Sequence, residues 1–221
     1  MASFVLVHSP LVGPTTWSWV ANEIERYGHQ VIVPSLLDAA TSGSWEACVS
    51  AVATAAPPGV PHVLVGHSGA GPLLPAIAEQ LNPSRLVFVD ARLPPTEGTS
   101  ALVPEQFLGA LTALAQDGVL PPWSDWFEPG TMETLIPDPG RREAVVAELP
   151  RLPLSYFQAR VPMPEGWAIA PCTYVLLSEA YRHDANQAAT RGWTVIELLG
   201  SHLDLVAQPL KLAEILRDHA V

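Results

Sequence analysis

Six short apolar runs along the chain alternate with stretches that carry apolar residues at helical spacing. This alternation predicts strands joined by crossover helices, an arrangement that builds a parallel sheet. The runs are apolar almost throughout, as expected for strands that helices cover on both faces. The predicted strands are residues 3–8, 29–34, 62–67, 85–90, 173–178 and 193–198.

Helices are predicted between these strands. One apolar helical face is formed by Trp17, Val20, Ile24 and Tyr27, and further helices are expected over residues 44–55, 69–81, 184–191 and 208–219. Pro75 is unusual in this pattern because, in the second turn of a helix that starts at residue 69, it would remove one backbone hydrogen bond.

The alternation is interrupted once. About 80 residues separate the fourth and fifth predicted strands, which is far more than one crossover helix requires. We therefore expect a single domain over residues 1–221 with an inserted cap at about residues 92–170. The patterns within the cap predict helices near residues 104–117, 139–149 and 155–160 and an aromatic turn at PPWSDWFEPG.

Charge and composition exclude several classes of partner. The chain has 11 Lys and Arg against 22 Asp and Glu, a net charge of -11, so a nucleic-acid backbone would be repelled. No apolar stretch reaches 18 residues and no basic segment precedes the N-terminal apolar run, so we expect a cytoplasmic protein without a membrane partner. Cys48 and Cys172 lack a metal-binding spacing and are expected to be reduced, and no metal or cofactor is indicated. The oligomeric state stays open, a homodimer included.

The segment Gly66–His67–Ser68–Gly69–Ala70 matches the nucleophile-elbow pattern, with Ala in place of the commoner last Gly. Small residues are needed two positions before and after the serine because the strand and the following helix approach closely at this strained turn. A predicted strand precedes the motif and a predicted helix follows it, so Ser68 is a candidate nucleophile. The alternative is a glycine-rich turn in which Ser68 only caps the helix.

A serine nucleophile needs a base, and His202 is the favoured histidine among seven. It follows the last predicted strand in ELLGSHLDLVAQP, at the sheet edge where ligand-binding groups gather. His8 and His67 flank strand ends and are expected to be structural.

These features together resemble the α/β-hydrolase superfamily, near its compact branch of capped esterases and hydroxynitrile lyases. The resemblance rests on VLVHS...W, VGHSGAG, LVFVDARLPP and GSHLDLVAQP. It implies an α/β fold with a mostly parallel six-stranded sheet, helices on both faces and an inserted helical cap, lacking the family's two leading antiparallel strands.

The resemblance leaves the acidic member of a catalytic triad open, because Tyr181 stands where the family usually has its acid. Asp90 closes an apolar strand at an alternative acid position that some members of the superfamily use, and we favour it. The other candidates are Glu179, Asp184 and Asp204.

The oxyanion hole also departs from the family pattern. The N–H of Gly69 can supply one donor. Ser9 replaces the usual glycine, and Pro10, which has no N–H, stands at the position of the second donor. Two alternatives follow: either the N–H of Leu11 is the second donor through a shifted loop, or the oxyanion hole is incomplete.

Aromatic residues concentrate in the predicted cap, which favours an apolar pocket for a small molecule above Ser68. The candidate substrate-binding residues are Pro10, Trp123, Trp126, Phe127, Tyr156 and Trp167, with Phe157 in the same group. The favoured function is hydrolysis of an ester, lactone or related acyl bond in a small-molecule substrate. The alternatives are a lyase or cyclase on the same site, suggested by Pro10, and a ligand-binding module without turnover.

Overall fold

The computed structural model describes residues 1–219, and within them the predicted parallel sheet is confirmed. The strands are β1 (Ser3–Val7), β2 (Gln30–Ile32), β3 (His62–His67), β4 (Arg85–Val89), β5 (Thr99–Ala101), β6 (Arg160–Pro162), β7 (Cys172–Leu176) and β8 (Thr194–Glu197). One sheet of six strands has the order β2-β1-β3-β4-β7-β8, and every neighbouring pair in it is parallel.

Helices pack against this sheet and build the segment between β4 and β7. They are α1 (Thr15–Arg26), α2 (Leu37–Thr41), α3 (Trp45–Ala55), α4 (Leu74–Leu81), α5 (Glu105–Leu114), α6 (Thr131–Leu135), α7 (Pro139–Val146), α8 (Leu154–Gln158), α9 (Arg182–Thr190), α10 (Asp204–Ala207) and α11 (Pro209–His219). Short 3-10 helices occupy Ser68–Leu73, Trp123–Trp126, Trp167–Ile169 and Glu179–Tyr181. Over the described range, none of these helices has the length and apolar character needed to cross a membrane.

Side chains of the central strands divide between two apolar cores, one on each face of the sheet. In β1, for example, Phe4 and Leu6 join one core while Val5 and Val7 join the other. Successive side chains of a strand point to opposite faces, so a strand buried on both faces is apolar at most of its positions. This explains why the predicted strands were continuous apolar runs.

The segment after Ser68 differs from the predicted single helix over residues 69–81. Residues Ser68–Leu73 form a 3-10 helix, and α4 begins only at Leu74. Pro75 therefore lies in the first turn of α4, where its missing N–H would have had no partner within the helix. The proline that seemed costly in the sequence is compatible with the helix that actually forms.

Residues 92–170 lie between β4 and β7 and contain the helices α5, α6, α7 and α8, joined by irregular stretches. They also contain a feature that the sequence did not predict. Strands β5 and β6 pair antiparallel, with Ser100 opposite Val161, and bring the two ends of the segment together. Strands of three residues are too short to show an alternating pattern, so only the pairing across the segment reveals them.

The chain turns that follow β3 and β4 are in direct contact. The N–H of Arg92 donates to the carbonyl of Ser68 at 3.3 Å, and a Cβ at Gly71 would collide with the carbonyl oxygen of Arg92. The atoms that this Cβ would meet belong to the backbone of Arg92, so they cannot move away easily. Gly71 therefore permits a close approach of the two turns that a larger residue would prevent.

Gly71→Ala should destabilise the fold by about 1–3 kcal/mol through this steric conflict. Gly109→Ala in α5 is the matched control, since a Cβ there meets nothing within 4 Å and alanine favours a helix. Urea denaturation of both variants checks the prediction. Similar free energies of unfolding for the two variants would contradict it.

Candidate active site

The carboxyl ends of four adjacent strands supply the polar residues of the candidate active site. Ser68 follows β3, Asp90 follows β4, Ser178 follows β7, and His202 lies in the loop after β8. Parallel strands end at the same edge of a sheet, so these residues meet although the chain separates them widely.

Ser68 has a left-handed backbone conformation, with φ of 57°. Non-glycine residues adopt this conformation at a cost of about 1–3 kcal/mol, and such strain is typical of functional sites. A Cβ at Gly66 would lie 2.8 Å from the side chain of Leu74, which explains the small residue two positions before the serine. The turn is therefore the strained elbow that the motif predicts.

His202 hydrogen-bonds to both of the other residues predicted for a triad. Its Nε2 lies 3.0 Å from Ser68 Oγ, and its Nδ1 lies 2.7 Å from Asp90 Oδ2. With a proton on Nδ1 donated to the carboxylate, Nε2 is free to accept from the serine hydroxyl. The structure thus brings Ser68, His202 and Asp90 into one hydrogen-bonded chain.

Asp90 is fully buried and, like Ser68, has a left-handed φ, of 42°. Its Oδ1 accepts from the backbone N–H groups of Leu177 and Ser178 at 2.9 Å, and its Oδ2 accepts from the Ser178 hydroxyl at 2.5 Å. Burial opposes ionisation, but the hydrogen bonds from His202 and Ser178 hold the pKa of Asp90 below its usual value. The carboxylate is therefore charged and fixed beneath His202.

The other three acidic candidates have different partners. Glu179 pairs with the guanidinium of Arg182 at 3.2 Å. Asp184 Oδ1 accepts from the N–H of Leu93 at 2.8 Å, and Asp204 Oδ2 accepts from the amide of Gln208 at 3.3 Å. Within residues 1–219, none of the three carboxylates hydrogen-bonds to His202.

Two further histidines are buried and shape the site without joining the hydrogen-bonded chain. Burial and the neighbouring His202 lower the pKa of His67 to about 3, and its Nε2–H donates to the His202 carbonyl at 3.0 Å. Burial lowers the pKa of His8 to about 4; its Nδ1–H donates to the Ser9 carbonyl and its Nε2 accepts from Leu36. Both are neutral and hold the loops around the site in place.

Tyr181 contributes to the site in a way that the sequence did not predict. Its ring stacks on the His202 ring at 5.0 Å with an interplanar angle of 7°, and its hydroxyl lies 3.3 Å from Ser68 Oγ. Burial raises the pKa of the phenol to about 12, so the hydroxyl is neutral near pH 7. The sequence did contain a signal for this role. Tyr181 stands where the family usually has its acid, and a residue at that position faces the site.

The predicted oxyanion region has an unexpected arrangement. The N–H of Leu11 does not point freely into the cavity but donates to Ser9 Oγ at 3.3 Å. A Cβ at Gly69 would lie 2.9 Å from the same Ser9 Oγ, so the hydroxyl sits directly beside the backbone of Gly69. The Gly69 N–H lies in the first turn of the 3-10 helix, where backbone donors have no partner within the helix.

A cavity of about 120 Å³ adjoins Ser68 and is mostly apolar. Five residues predicted for the site line it together with Ser68, namely Pro10, Leu11, Gly69, Trp126 and Tyr156, and Phe157 lies there too. Phe127 lines an adjoining cavity of about 490 Å³, which shares Trp126 and Tyr181 with the first.

Two of the predicted pocket residues lie elsewhere. Trp123 lines neither cavity, and its ring packs against Phe127 at 5.0 Å and lies 6.5 Å from the ring of His202. Trp167 packs in the core against Phe88 and Trp193 and lines neither cavity. Its expected place in the pocket is wrong because it lies just before β7, where the segment has already returned to the sheet.

In the part of the chain that the structure describes, no group of three or more His, Cys, Asp and Glu side chains is arranged to hold a metal ion. Cys48 and Cys172 are both buried and unbridged there. The polar side chains that meet at the sheet edge are instead joined to one another by hydrogen bonds.

Solved structures of several hydrolases superpose on nearly the whole chain. An extracellular alpha/beta-hydrolase from a Paenibacillus species, described as sharing structural and functional homology with tobacco salicylic acid binding protein 2, has a TM-score of 0.77 at 20% identity over 98% of each chain. Polyneuridine aldehyde esterase has a TM-score of 0.77 at 18% identity over 100% of each chain. The pyrethroid hydrolase PytH has a TM-score of 0.75 at 17% identity, over 99% of this chain and 97% of that one.

At these identities, the structural likeness shows the fold. A comparison with curated proteins finds no match. The model of the alpha/beta hydrolase family matches residues 4–215, which include the elbow, Asp90 and His202. This chain therefore belongs to the alpha/beta hydrolase family.

Proposed function

We propose that this protein is a serine hydrolase that cleaves an ester, lactone or related acyl bond in an apolar small molecule. The observation that carries the proposal is the hydrogen-bonded chain from Ser68 through His202 to Asp90, with distances of 3.0 and 2.7 Å. Ser68, at one end of this series of hydrogen bonds, borders a mostly apolar cavity, which suits the binding of an apolar acyl compound.

In the proposed reaction, Ser68 Oγ attacks the substrate carbonyl carbon while His202 Nε2 accepts the hydroxyl proton. The buried Asp90 carboxylate stabilises the imidazolium that results. His202 then gives its proton to the departing oxygen, leaving an acyl group on Ser68. A water molecule then gives a proton to His202 and attacks the acyl carbon. The bond to Ser68 Oγ breaks, His202 returns the proton to that oxygen, and the acid is released.

The tetrahedral intermediate needs donors for its oxyanion, and Pro10 cannot provide one through its backbone. The N–H of Gly69 is the first donor. Ser9 is the second: its oxygen accepts from the Leu11 N–H, so its own proton is available to the oxyanion. In this arrangement, Leu11 contributes by orienting the Ser9 hydroxyl rather than by direct contact.

A lyase or cyclase on the same site is the second candidate. It is favoured by Pro10 at the usual donor position and by the neutral Tyr181 hydroxyl 3.3 Å from Ser68 Oγ. Chemistry of this kind builds no tetrahedral oxyanion, so it would not depend on the Ser9 hydroxyl.

A fluorophosphonate probe should label Ser68, because the probe phosphorus accepts the same attack as an acyl carbon. Mass spectrometry of the peptide that contains the elbow identifies the labelled residue. Ser68→Ala is the control and should remain unlabelled. Folded wild-type protein without label at Ser68 would argue against a nucleophilic serine.

Asp90→Asn should lower kcat by about ten-thousandfold, since the neutral amide favours the wrong imidazole tautomer and no longer stabilises the imidazolium. Substrate binding should change much less. Glu179→Gln, whose carboxylate pairs with Arg182 instead, is the matched control and should keep nearly full turnover. Circular dichroism confirms that both variants are folded. Comparable losses of turnover in both would refute the role of Asp90.

Ser9→Ala should lower kcat for a p-nitrophenyl ester by about a hundredfold to a thousandfold, the usual effect of losing one oxyanion donor. KM should change little because the interaction forms in the transition state. Ser9→Thr, which keeps a hydroxyl, should recover part of the lost turnover. Turnover of Ser9→Ala within threefold of wild type would contradict the proposed hole and favour the lyase or cyclase candidate.

A further inference from the structure

Arg92 occupies a position that the proposed chemistry leaves unused. It follows β4 by three residues and lines both the cavity beside Ser68 and the adjoining larger cavity. Among the described residues that line these two cavities, Arg92 is the one basic side chain. Most of its neighbours there are apolar, including Val103, Leu111 and Trp126.

The guanidinium lacks the partner that such a group normally has. Its Nε is buried without a hydrogen bond, and no carboxylate of residues 1–219 forms an ion pair with it within 4.0 Å. Arginine stays charged in proteins, and a charge in apolar surroundings is costly unless it is paired. An anion that enters this site and pairs with the guanidinium therefore stabilises the positive charge.

Asp184 is the acidic residue that shares the larger cavity with Arg92. Its Oδ1 accepts from the backbone N–H of Leu93 at 2.8 Å, so the carboxylate is tied to the chain. Its negative charge favours the charged form of the half-buried Arg92. It forms no ion pair with Arg92 within 4.0 Å, so the guanidinium donors stay available to a ligand. The nearby phenol of Tyr181 is neutral and adds no charge.

The backbone holds Arg92 firmly. Its N–H donates to the carbonyl of Ser68 and its carbonyl lies against Gly71. These contacts fix the point beside the nucleophile from which the side chain extends, so a substrate that pairs with the guanidinium is oriented relative to Ser68. Since one guanidinium offers a planar pair of donors and the remaining walls are mainly apolar, the site suits a singly charged, planar anion better than a phosphate dianion.

We propose that Arg92 binds a carboxylate group of the substrate, so that the substrate is an acyl compound with an apolar body and a free carboxylate. This inference rests on the proposed function, since it names the substrate class of the same site. The carboxylate occupies the Arg92 side of the two cavities while the acyl carbonyl lies at Ser68.

The test compares two esters that share a leaving group and a chain length: mono(4-nitrophenyl) glutarate, which ends in a carboxylate, and 4-nitrophenyl pentanoate, which ends in a methyl group. The measured quantity is the ratio of kcat/KM for the charged ester to that for the neutral ester. In Arg92→Gln this ratio should fall by about tenfold to a hundredfold, the effect of losing a charge-assisted hydrogen bond.

Two variants control for charge alone. Arg92→Lys keeps the charge but loses the planar pair of donors, so its ratio should lie between those of wild type and Arg92→Gln. Arg191→Gln removes the same charge at a partly buried arginine that stacks on Trp193, outside both cavities, and should keep the wild-type ratio. A ratio for Arg92→Gln within twofold of wild type would overturn the proposal.

A binding measurement separates this proposal from the proposed hydrolase activity. In Ser68→Ala protein, which cannot form an acyl enzyme, calorimetric titration compares 4-phenylbutyrate with its uncharged amide. The carboxylate should bind at least tenfold more tightly, and Arg92→Gln should remove the difference.

The hydrolysis measurement and the binding measurement can give different outcomes, and these outcomes separate the two proposals. If wild-type protein hydrolyses neither ester but the binding difference depends on Arg92, the hydrolase proposal fails and the carboxylate site stands. If wild-type protein hydrolyses the neutral ester but the two ligands bind equally, the carboxylate site is refuted and the hydrolase proposal stands.

Discussion

The buried carboxylate of Asp90 joins the elements that form the candidate site. It accepts hydrogen bonds from two backbone N–H groups and one hydroxyl at the end of β7, and from His202 in the loop after β8. A buried charge is stable only when such partners surround it. The same contacts that satisfy the carboxylate therefore hold the end of β7 and the His202 loop close to Ser68.

The carboxylate that meets His202 comes from the turn after β4, so the end of β7 contributes a different group to the site. The position where the family usually has its acid carries Tyr181, whose ring stacks on His202 and whose hydroxyl reaches Ser68. The aromatic ring limits the motion of the imidazole, and the phenol adds a neutral donor beside the nucleophile. The site thus combines a charged support beneath His202 with a neutral polar group in front of it.

The cavity walls show a similar division of roles. Trp126, Tyr156 and Phe157 provide apolar surface, which favours binding but distinguishes poorly between ligands of similar size. Polar groups interrupt this surface at Ser9 and Arg92. Under the proposed function, the hydroxyl proton of Ser9 and the guanidinium of Arg92 are the polar donors through which the cavity discriminates between ligands. The backbone contact between the turns after β3 and β4 fixes Arg92 relative to Ser68.

Local sequence patterns were sufficient for the sheet and for part of the site. The continuous apolar runs predicted the six parallel strands, because burial on both faces leaves the central strands few polar positions. The elbow motif identified Ser68 because small residues are required around a strained turn. The position of His202 after the last strand brought it to the sheet edge that Ser68 occupies. The resemblance to the family added Asp90 as the favoured one of four possible acids.

Other features depend on contacts between distant parts of the chain, and only the tertiary structure decided them. The sequence could not show that Leu177 and Ser178 supply the donors for Asp90, that Tyr181 stacks on His202, or that Leu11 is engaged by Ser9. Nor could composition distinguish Trp126, which lines the cavity, from Trp167, which packs in the core: both are aromatic residues of one irregular segment. Strands and helices follow from the local periodicity of the sequence. The direction of a loop side chain depends instead on the surfaces that pack against it in the folded protein.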